Sequence, residues 1–424
     1  MIKEIRLINW KSFKDSILYI DPLTILIGSN ASGKSNIVDA LAFLRIFVRG
    51  DELQSIFDSS IMDSKLGGIR GGSEYAAMFG ENSFSLEVVF QKDDKVDYKY
   101  KIKIEMQPAL KIVKEELDII STDTGTVVCV FNAETDNSIK SNIIIDKDLK
   151  INQLYLGKPY IANMFINSIA VLDQIKNYDL ISESKEAVQF VIEKLEGIFV
   201  YDPIPSMMRD YVKLSNHLNR DGSNLAGVIA YFNNGSRKNI EESLTKYVSN
   251  LPEGEVKRVW TMTVGLKNND AILCCEEKWG NEKTLTTIDA RGMSDGTLRF
   301  LGILTALLTR PEGSLIVIEE VDNGLHPSRA KLLLKVLKEI GTMRKIDILI
   351  TTHNPALMDE LGVEMIPFIQ VVHRDTEDGT SKITLLEDIK TLPKLLAHGS
   401  IGELSTKGEL DKSLSRSGVI TDAK

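Results

Sequence analysis

Between a largely apolar run at residues 23–27 and a segment whose apolar residues Ile37, Leu41, Leu44 and Val48 recur at helical spacing lies Gly28-Ser29-Asn30-Ala31-Ser32-Gly33-Lys34-Ser35. An apolar run of five residues is the pattern of a strand covered on both faces, so the order is buried strand, glycine-punctuated loop, helix. Glycines at both ends let such a loop wrap until successive backbone N–H groups and the helix N-terminus converge on anionic oxygens. The eight residues fit Gly-x-x-x-x-Gly-Lys-Ser, in which Lys34 reaches the β and γ phosphates of a nucleotide and the Ser35 hydroxyl ligates Mg²⁺. Asn36, next on the helix, joins Gly28, Ser29, Asn30, Ala31, Ser32, Gly33, Lys34 and Ser35 as a candidate nucleotide contact.

Far downstream, Leu315-Ile316-Val317-Ile318-Glu319-Glu320 reads as a second buried strand that delivers two carboxylates at its C-terminal end, where ligands of parallel sheets bind. Strand alternation sends the two side chains to opposite sides. Glu319 is the candidate Mg²⁺ ligand. Glu320 is the candidate that orients and deprotonates an attacking water. Met293-Ser294-Asp295-Gly296-Thr297 opens a helix, with Ser294 as N-cap and Gly296 allowing close approach of backbone to a phosphate. Thr351-Thr352-His353-Asn354-Pro355 ends a further buried strand, and His353 there can hydrogen-bond a γ-phosphate.

Between these ends, residues 83–133 carry alternating or β-branched runs separated by charged turns, the pattern of antiparallel hairpins. Residues from about 150 to 250 change to helical patterns, such as 184–197 and 240–248, interrupted by Asp202-Pro203, residues 219–223 and Asn233-Asn234-Gly235. Strands return at 257–265, 271–277 and 284–288. After them, helices 295–309 and 328–340 alternate with strands 315–318 and 347–350, which implies a parallel sheet. The expected division is therefore 1–135, the phosphate loop and a β lobe; 136–255, a mostly helical insertion; and 256–424, the rest of the nucleotide-binding fold with a short tail.

Composition narrows the function classes. With 51 Lys and Arg against 60 Asp and Glu, the net charge is 51 − 60 = −9, which excludes a uniformly basic DNA coat but not a local basic groove. Cys129, Cys274 and Cys275 are too few for a disulfide framework and lack zinc spacing, so buried reduced thiols are expected. The longest apolar stretches, such as 300–308, fall short of a membrane span. Residues 1–6 alternate like a strand rather than forming the apolar core of a leader. The expected location is the cytoplasm, away from membranes.

Taken together, Ile5-Arg6-Leu7-Ile8-Asn9-Trp10-Lys11-Ser12-Phe13, the phosphate loop, residues 294–298, 319–327 and 351–355 make the chain resemble an ABC-type ATPase of the RecF/SMC/OLD branch, and within it the compact bacterial AAA_21 ATPases. The resemblance covers both ends of the chain but not residues 135–255. It implies an α/β fold, an ABC-type P-loop NTPase head with an antiparallel β lobe and a mostly helical insertion. It also implies a homodimer that closes around two ATP molecules, each held by residues 28–35 of one copy and by Ser294, Gly296 and Thr297 of the other. By the same resemblance Lys11, Ser12 and Phe13 lie near the adenine, Leu325-His326 stand in the D-loop place and His353 is the switch histidine. Departures are Glu319 for the usual Asp, Val321 for Pro, His326 for the D-loop Asp, and Asp295-Gly296-Thr297 for Gly-Gly-Gln. The Q-loop glutamine is open among Gln91, Gln107, Gln153 and Gln174. Arg70, within Gly67-Gly68-Ile69-Arg70-Gly71-Gly72, is either an arginine that touches DNA, as in SMC-like heads, or an incidental charge in a glycine loop.

Long coiled-coil arms of the SMC type are absent from the pattern between Ser35 and Ser294, and the roughly seventy residues after His353 are too few for the Toprim nuclease domain of OLD proteins. The acidic string His373-Arg374-Asp375-Thr376-Glu377-Asp378-Gly379 lies between two β-like runs and reads as a hairpin turn. The catalytic set expected is Glu320, His353 and Lys34, the cofactors ATP and Mg²⁺. Compact relatives of this kind commonly serve anti-phage systems beside a separate nuclease or toxin effector, which makes an ATPase sensor or scaffold subunit the first expectation. A RecF-like ATP-dependent DNA-binding factor, with nucleic acid as partner, is the alternative. A nucleotide-gated binding module with negligible turnover is a third.

Overall fold

The computed structural model describes residues 1–58, 69–135, 141–144, 166–177, 182–252, 255–278 and 284–415. Two compact units divide the chain: Met1–Ile198 with Phe368–Lys390 and Ser413–Lys424, and Phe199–Pro367 with Thr391–Lys412. The segment 136–255 is thus shared between them, with its part through Ile198 in the first.

In the first unit the expected strand, loop and helix are Leu23–Ile27, residues 28–33 and Lys34–Phe47. All five residues of the strand are buried, as a strand covered on both faces must be. Its neighbours run in the order Leu23–Ile27, Ile369–Arg374, Ser381–Leu385, Phe13–Tyr19, Ile2–Trp10, Ser83–Gln91, Val96–Glu105, Lys111–Ser121, Val127–Thr135 and Ser141–Ile144. Ile369–Arg374 pairs parallel with Leu23–Ile27, placing Val371 beside Ile27 at the foot of the loop. From Phe13–Tyr19 outward the neighbours are antiparallel, which is the β lobe. Ser83–Gln91 shows why: Phe84, Leu86, Val88 and Phe90 alternate inward, the period of a half-buried strand.

The helix Lys34–Phe47 is held against this sheet by aromatic packing. Trp10, Phe43, Phe57 and Phe84 are buried with ring centroids 4.8–6.4 Å apart, and Phe47 stacks on Phe43. Burying each such ring stabilises by roughly 2 kcal/mol. Trp10 Nε1 donates to the Asn36 carbonyl at 2.7 Å, so the same residue fixes the first turn of the helix. The helix Ser182–Glu196 packs on the lobe through Phe190, whose ring lies edge-on to Phe90 and Tyr98.

The second unit holds the parallel pair Leu315–Ile318 and Asp347–Thr352, in register Ile316 to Ile348. Helices Asp295–Thr309 and Ala330–Arg344 belong to it, the latter preceded by a 3₁₀ turn at Pro327–Arg329. A separate antiparallel sheet centres on Asp270–Lys278, paired with Val256–Val264, Leu285–Asp289 and Val212–Lys213. Helix Asn234–Val248, longer at its start than the apolar pattern shows because Asn233 caps it, is stitched to this sheet by Glu241, which accepts from the Thr261 amide and hydroxyl. Cys274 and Cys275 are buried free thiols on the central strand, and Cys129 is half-buried. Among the described residues no helix is long and apolar enough to cross a membrane.

Candidate nucleotide-binding site

The loop begins at Gly28, where a Cβ would lie 2.2 Å from the Val372 carbonyl oxygen, so no side chain fits there. Gly33, at φ +120°, has no more room: a Cβ would stand 2.7 Å from Ser381 Oγ and 3.0 Å from the Phe13 ring. Between them Ala31 adopts φ +63°, a left-handed conformation unfavourable for an L-residue with a side chain. Lys34 folds back over the loop and donates from Nζ to the carbonyls of Gly28 at 2.6 Å and Ser29 at 2.9 Å. Ser32 Oγ is buried with no hydrogen-bond partner among the described residues. Ser35 and Asn36 occupy the first turn of the helix, and the Asn36 amide returns to the Gly33 carbonyl at 2.9 Å.

Lys11 and Ser12 flank this loop. Asn36 Nδ2 donates to Ser12 Oγ at 2.8 Å, and Lys11 Nζ donates to Asp39 Oδ2 at 2.5 Å and to the Arg70 carbonyl at 2.7 Å. Burial pulls the Lys11 ammonium below its ordinary pKa, opposed by Asp39. Arg70 is not an incidental charge: its guanidinium donates to both Asp39 carboxylate oxygens, at 3.0 and 3.2 Å, and to the Ser35 carbonyl at 2.8 Å. Gly67 and Gly68 of that loop lie outside the described residues. Lys11, Ser12, Asn36 and Arg70, with Tyr75 and Phe79, line a cavity of about 1160 Å³. Phe13 is fully buried behind Gly33 and supports the loop rather than lining that cavity. Of the glutamines, Gln107 lines the cavity, Gln91 ends the Ser83–Gln91 strand, Gln174 is engaged with Ile166 and Ile169, and Gln153 lies outside the described residues.

In the second unit the strand stops at Ile318, so Glu319 and Glu320 stand on the turn that follows rather than on the strand. They still point apart: Glu319 is buried and the Glu320 side chain is 46% exposed. The turn has a cause. Arg299, buried on the helix Asp295–Thr309, donates to the carbonyls of Glu319 at 3.1 Å, Glu320 at 2.9 Å and Pro203 at 2.7 Å. Glu320 takes φ +46°, and its amide donates to Thr351 Oγ1 at 2.9 Å. His353 Nδ1 comes within 3.8 Å of Glu320 Oε1, and Asn323 Nδ2 donates to Glu320 Oε2 at 3.4 Å.

Ser294 caps its helix as the sequence suggests, its hydroxyl accepting from the Thr297 amide at 3.2 Å and lying 2.8 Å from Thr297 Oγ1. Thr297 is buried, its hydroxyl turned toward that cap. At Gly296 a Cβ would meet Arg329 Nη1 at 2.9 Å and the Gly324 carbonyl at 3.0 Å, so the helix start is closely packed within the chain itself. Arg209 clamps the approach to this helix by donating to the carbonyls of Ala290, Arg291 and Met293 and to the Asp295 carboxylate. Asp322, buried, accepts from Thr352 Oγ1 at 2.7 Å. His326 caps the Pro327–Arg329 turn through Ser328.

Asp39, Arg299, Asp322, Arg374 and Ser381 were not legible as site residues. Asp39 and Arg299 carry a signal, each a charge within a helix that is apolar on most sides; the others carry none.

The sequence matches the AAA_21 family, described as "AAA domain, putative AbiEii toxin, Type IV TA system", over residues 23–120 and 134–359. It is 23% identical over 370 residues to the "Retron Vc95 probable ATPase" of Vibrio cholerae serotype O1 biovar El Tor, covering 82% of this chain and 68% of that protein. To an "ATP/GTP phosphatase" of Helicobacter pylori (strain ATCC 700392 / 26695) it is 22% identical over 368 residues, 85% of this chain and 87% of the other. Among solved structures, an Smc head bound to the C-winged helix domain of ScpA aligns over 90% of this chain and 96% of that one, at 14% identity and a TM-score of 0.47.

Proposed function

The chain belongs to the AAA_21 ATPase family, and from that premise we propose that it is a Mg²⁺-dependent ATPase whose copies dimerise around ATP. In this reading it is the ATPase sensor or scaffold subunit of a cytoplasmic anti-phage system, and it controls a separate nuclease or toxin. The observation that carries the reading is the loop 28–35: two glycines without space for a side chain, Ala31 held left-handed, and an ammonium poised at its mouth.

The residues suit a Mg²⁺-triphosphate. Ser32 Oγ is a buried polar atom without a partner inside the loop, and the glycine positions leave room only for backbone. Ser35 and Glu319 would hold the metal, which when bound neutralises charge on the β and γ phosphates. Lys34 exchanges its two loop carbonyls for phosphate oxygens. Glu320, on the exposed side of its turn and bounded by His353 and Asn323, orients a water and accepts its proton. His353 donates toward the terminal phosphate. Ser294, Gly296 and Thr297 of a second copy complete the pocket through the start of their helix, whose N-terminal dipole favours an anion. The 136–255 segment, whose described part includes helices Ser182–Glu196 and Asn234–Val248, passes the nucleotide state to the effector.

The test is phosphate release and size in solution with Mg²⁺-ATP, Mg²⁺-ADP and no nucleotide, for wild type and Lys34→Ala. Turnover and an ATP-dependent dimer, both lost in Lys34→Ala, support the reading. A protein that stays monomeric and releases no phosphate ends it, and salt-sensitive, ATP-dependent binding of duplex DNA without an effector would replace defence by DNA repair.

A further inference from the structure

The hairpin of strands Ile369–Arg374 and Ser381–Leu385 has no role in that reaction, yet its turn end touches the phosphate loop at four residues. The Val372 carbonyl occupies the space a side chain at Gly28 would need, and Ser381 Oγ does the same at Gly33. Arg374 Nε donates to the Ala31 carbonyl at 3.1 Å, and Ser381 Oγ donates to the Ser32 carbonyl at 2.5 Å. We propose that Arg374 and Ser381 are positioning residues for phosphate binding, Ser381 holding the Ser32 carbonyl so that the Gly33 amide faces the anion and Arg374 holding the Ala31 carbonyl so that the turn closed by the Ser32 amide on the Ser29 carbonyl keeps its path; the claim rests on the nucleotide reading of that loop.

The physical reason lies in the peptide unit, whose C=O and N–H point in opposite directions. Fixing the Ser32 carbonyl behind the loop turns the Gly33 N–H forward, and that N–H has no acceptor among the described residues. Fixing the Ala31 carbonyl likewise supports the left-handed Ala31, a backbone state that persists only where surroundings enforce it. Both anchors are themselves fixed. Arg374 Nη1 donates to the Gly379 carbonyl at 2.9 Å across the hairpin tip, using two arms of its fork on two carbonyls. Ser381 is 1% exposed; its amide donates to the Ser12 carbonyl at 2.7 Å, and its hydroxyl also lies 2.8 Å from Ser12 Oγ. Arg374 in addition lines the cavity shared by Lys11, Ser12 and Asn36, so it borders both the loop and the space beside it.

Calorimetric titration of the full chain with ATP and with ADP, in Mg²⁺, tests this on wild type, Lys34→Ala, Arg374→Ala, Arg374→Lys and Ser381→Ala, with nucleotide-free melting recorded for each. Arg374→Ala and Ser381→Ala should each weaken both nucleotides by about tenfold, the loss of one hydrogen bond that shapes the site. Arg374→Lys should not restore binding, because a single ammonium nitrogen lacks the planar, spaced fork that reaches the Ala31 and Gly379 carbonyls from Nε and Nη1. Arg374 is exposed, so its variants keep the test readable if Ser381→Ala fails to fold. If wild type binds and Lys34→Ala does not, while Arg374→Ala and Ser381→Ala bind like wild type, the hairpin claim alone is overturned, even if their melting falls. If wild type itself binds neither nucleotide, the nucleotide reading falls and takes this claim with it.

Discussion

Glu320 and His353 meet at the ends of the adjacent parallel strands Leu315–Ile318 and Asp347–Thr352, His353 Nδ1 standing 3.8 Å from Glu320 Oε1. Both side chains are 46% exposed, so they face the same open edge that a terminal phosphate and a water would share in the proposed reaction.

Glu320→Gln keeps the shape and the Asn323 contact but removes the proton acceptor. Turnover should fall by roughly 10²-fold or more, the usual worth of a general base, while ATP binding persists and the ATP-bound dimer accumulates. Single-turnover phosphate release beside gel filtration reads both quantities. Hydrolysis at the wild-type rate would remove Glu320 from its role.

Gly28→Ala places a methyl group 2.2 Å from a backbone carbonyl that belongs to a sheet strand and cannot swing away. Nucleotide affinity should drop more than tenfold, because the loop must change its path for the strand to keep its register. Gly235→Ala is the control: its nearest neighbour would be Asn233 Oδ1 at 3.8 Å, and its stability change should stay within about 0.5 kcal/mol. Equal nucleotide affinity in Gly28→Ala and wild type would contradict the steric account.

Much of this architecture was visible in the residues because the signals were local. The strand Leu23–Ile27, the helices Asp295–Thr309 and Lys34–Phe47, the alternation of Ser83–Gln91 and the Ser294 cap all follow from periodicity or a capping residue within a few positions. What stayed hidden depends on contacts between distant parts of the chain. Glu320 leaves the strand because Arg299, twenty-one residues earlier, takes its carbonyl. Ser381 reaches Ser32 across 349 positions, and no spacing rule connects them. Gly296 read as a phosphate contact, and its tight packing against Gly324 and Arg329 could not be seen without the fold.

Arg299 gives a prediction of that hidden kind. Its side chain is 5% exposed and holds three carbonyls, with Asp202 3.8 Å away; burial lowers its pKa and Asp202 opposes the shift. Arg299→Met fills similar volume but leaves those carbonyls without their donor, a loss of about 3 kcal/mol by analogy with broken buried charge contacts. Because two of the carbonyls belong to Glu319 and Glu320, kcat should fall further than KM rises. Denaturant unfolding and steady-state kinetics on the same sample decide it, and full kcat in a destabilised protein would confine Arg299 to folding.

Glu115 supplies a pH dependence with a definite sign. Its carboxylate is wholly buried in the β lobe, where it accepts from Tyr100 Oη at 2.8 Å, the Val171 amide at 2.7 Å and the Leu172 amide at 3.0 Å. Desolvation pushes its pKa up from 4.5 to about 7 despite these donors. A carboxyl raised in the folded state binds more protons than its unfolded counterpart between those values, so stability must fall as pH rises through that window and level off above about pH 7. Glu115→Gln keeps an acceptor for the Val171 and Leu172 amides and cannot ionise. The difference in melting temperature between wild type and Glu115→Gln should therefore favour wild type most near pH 5 and shift toward the variant by pH 8. Taking the difference cancels the other raised carboxyls, Asp21, Asp118 and Asp202, which are present in both proteins. A difference that stays flat from pH 5 to 8 would mean that Glu115 is ionised throughout, its three donors outweighing burial.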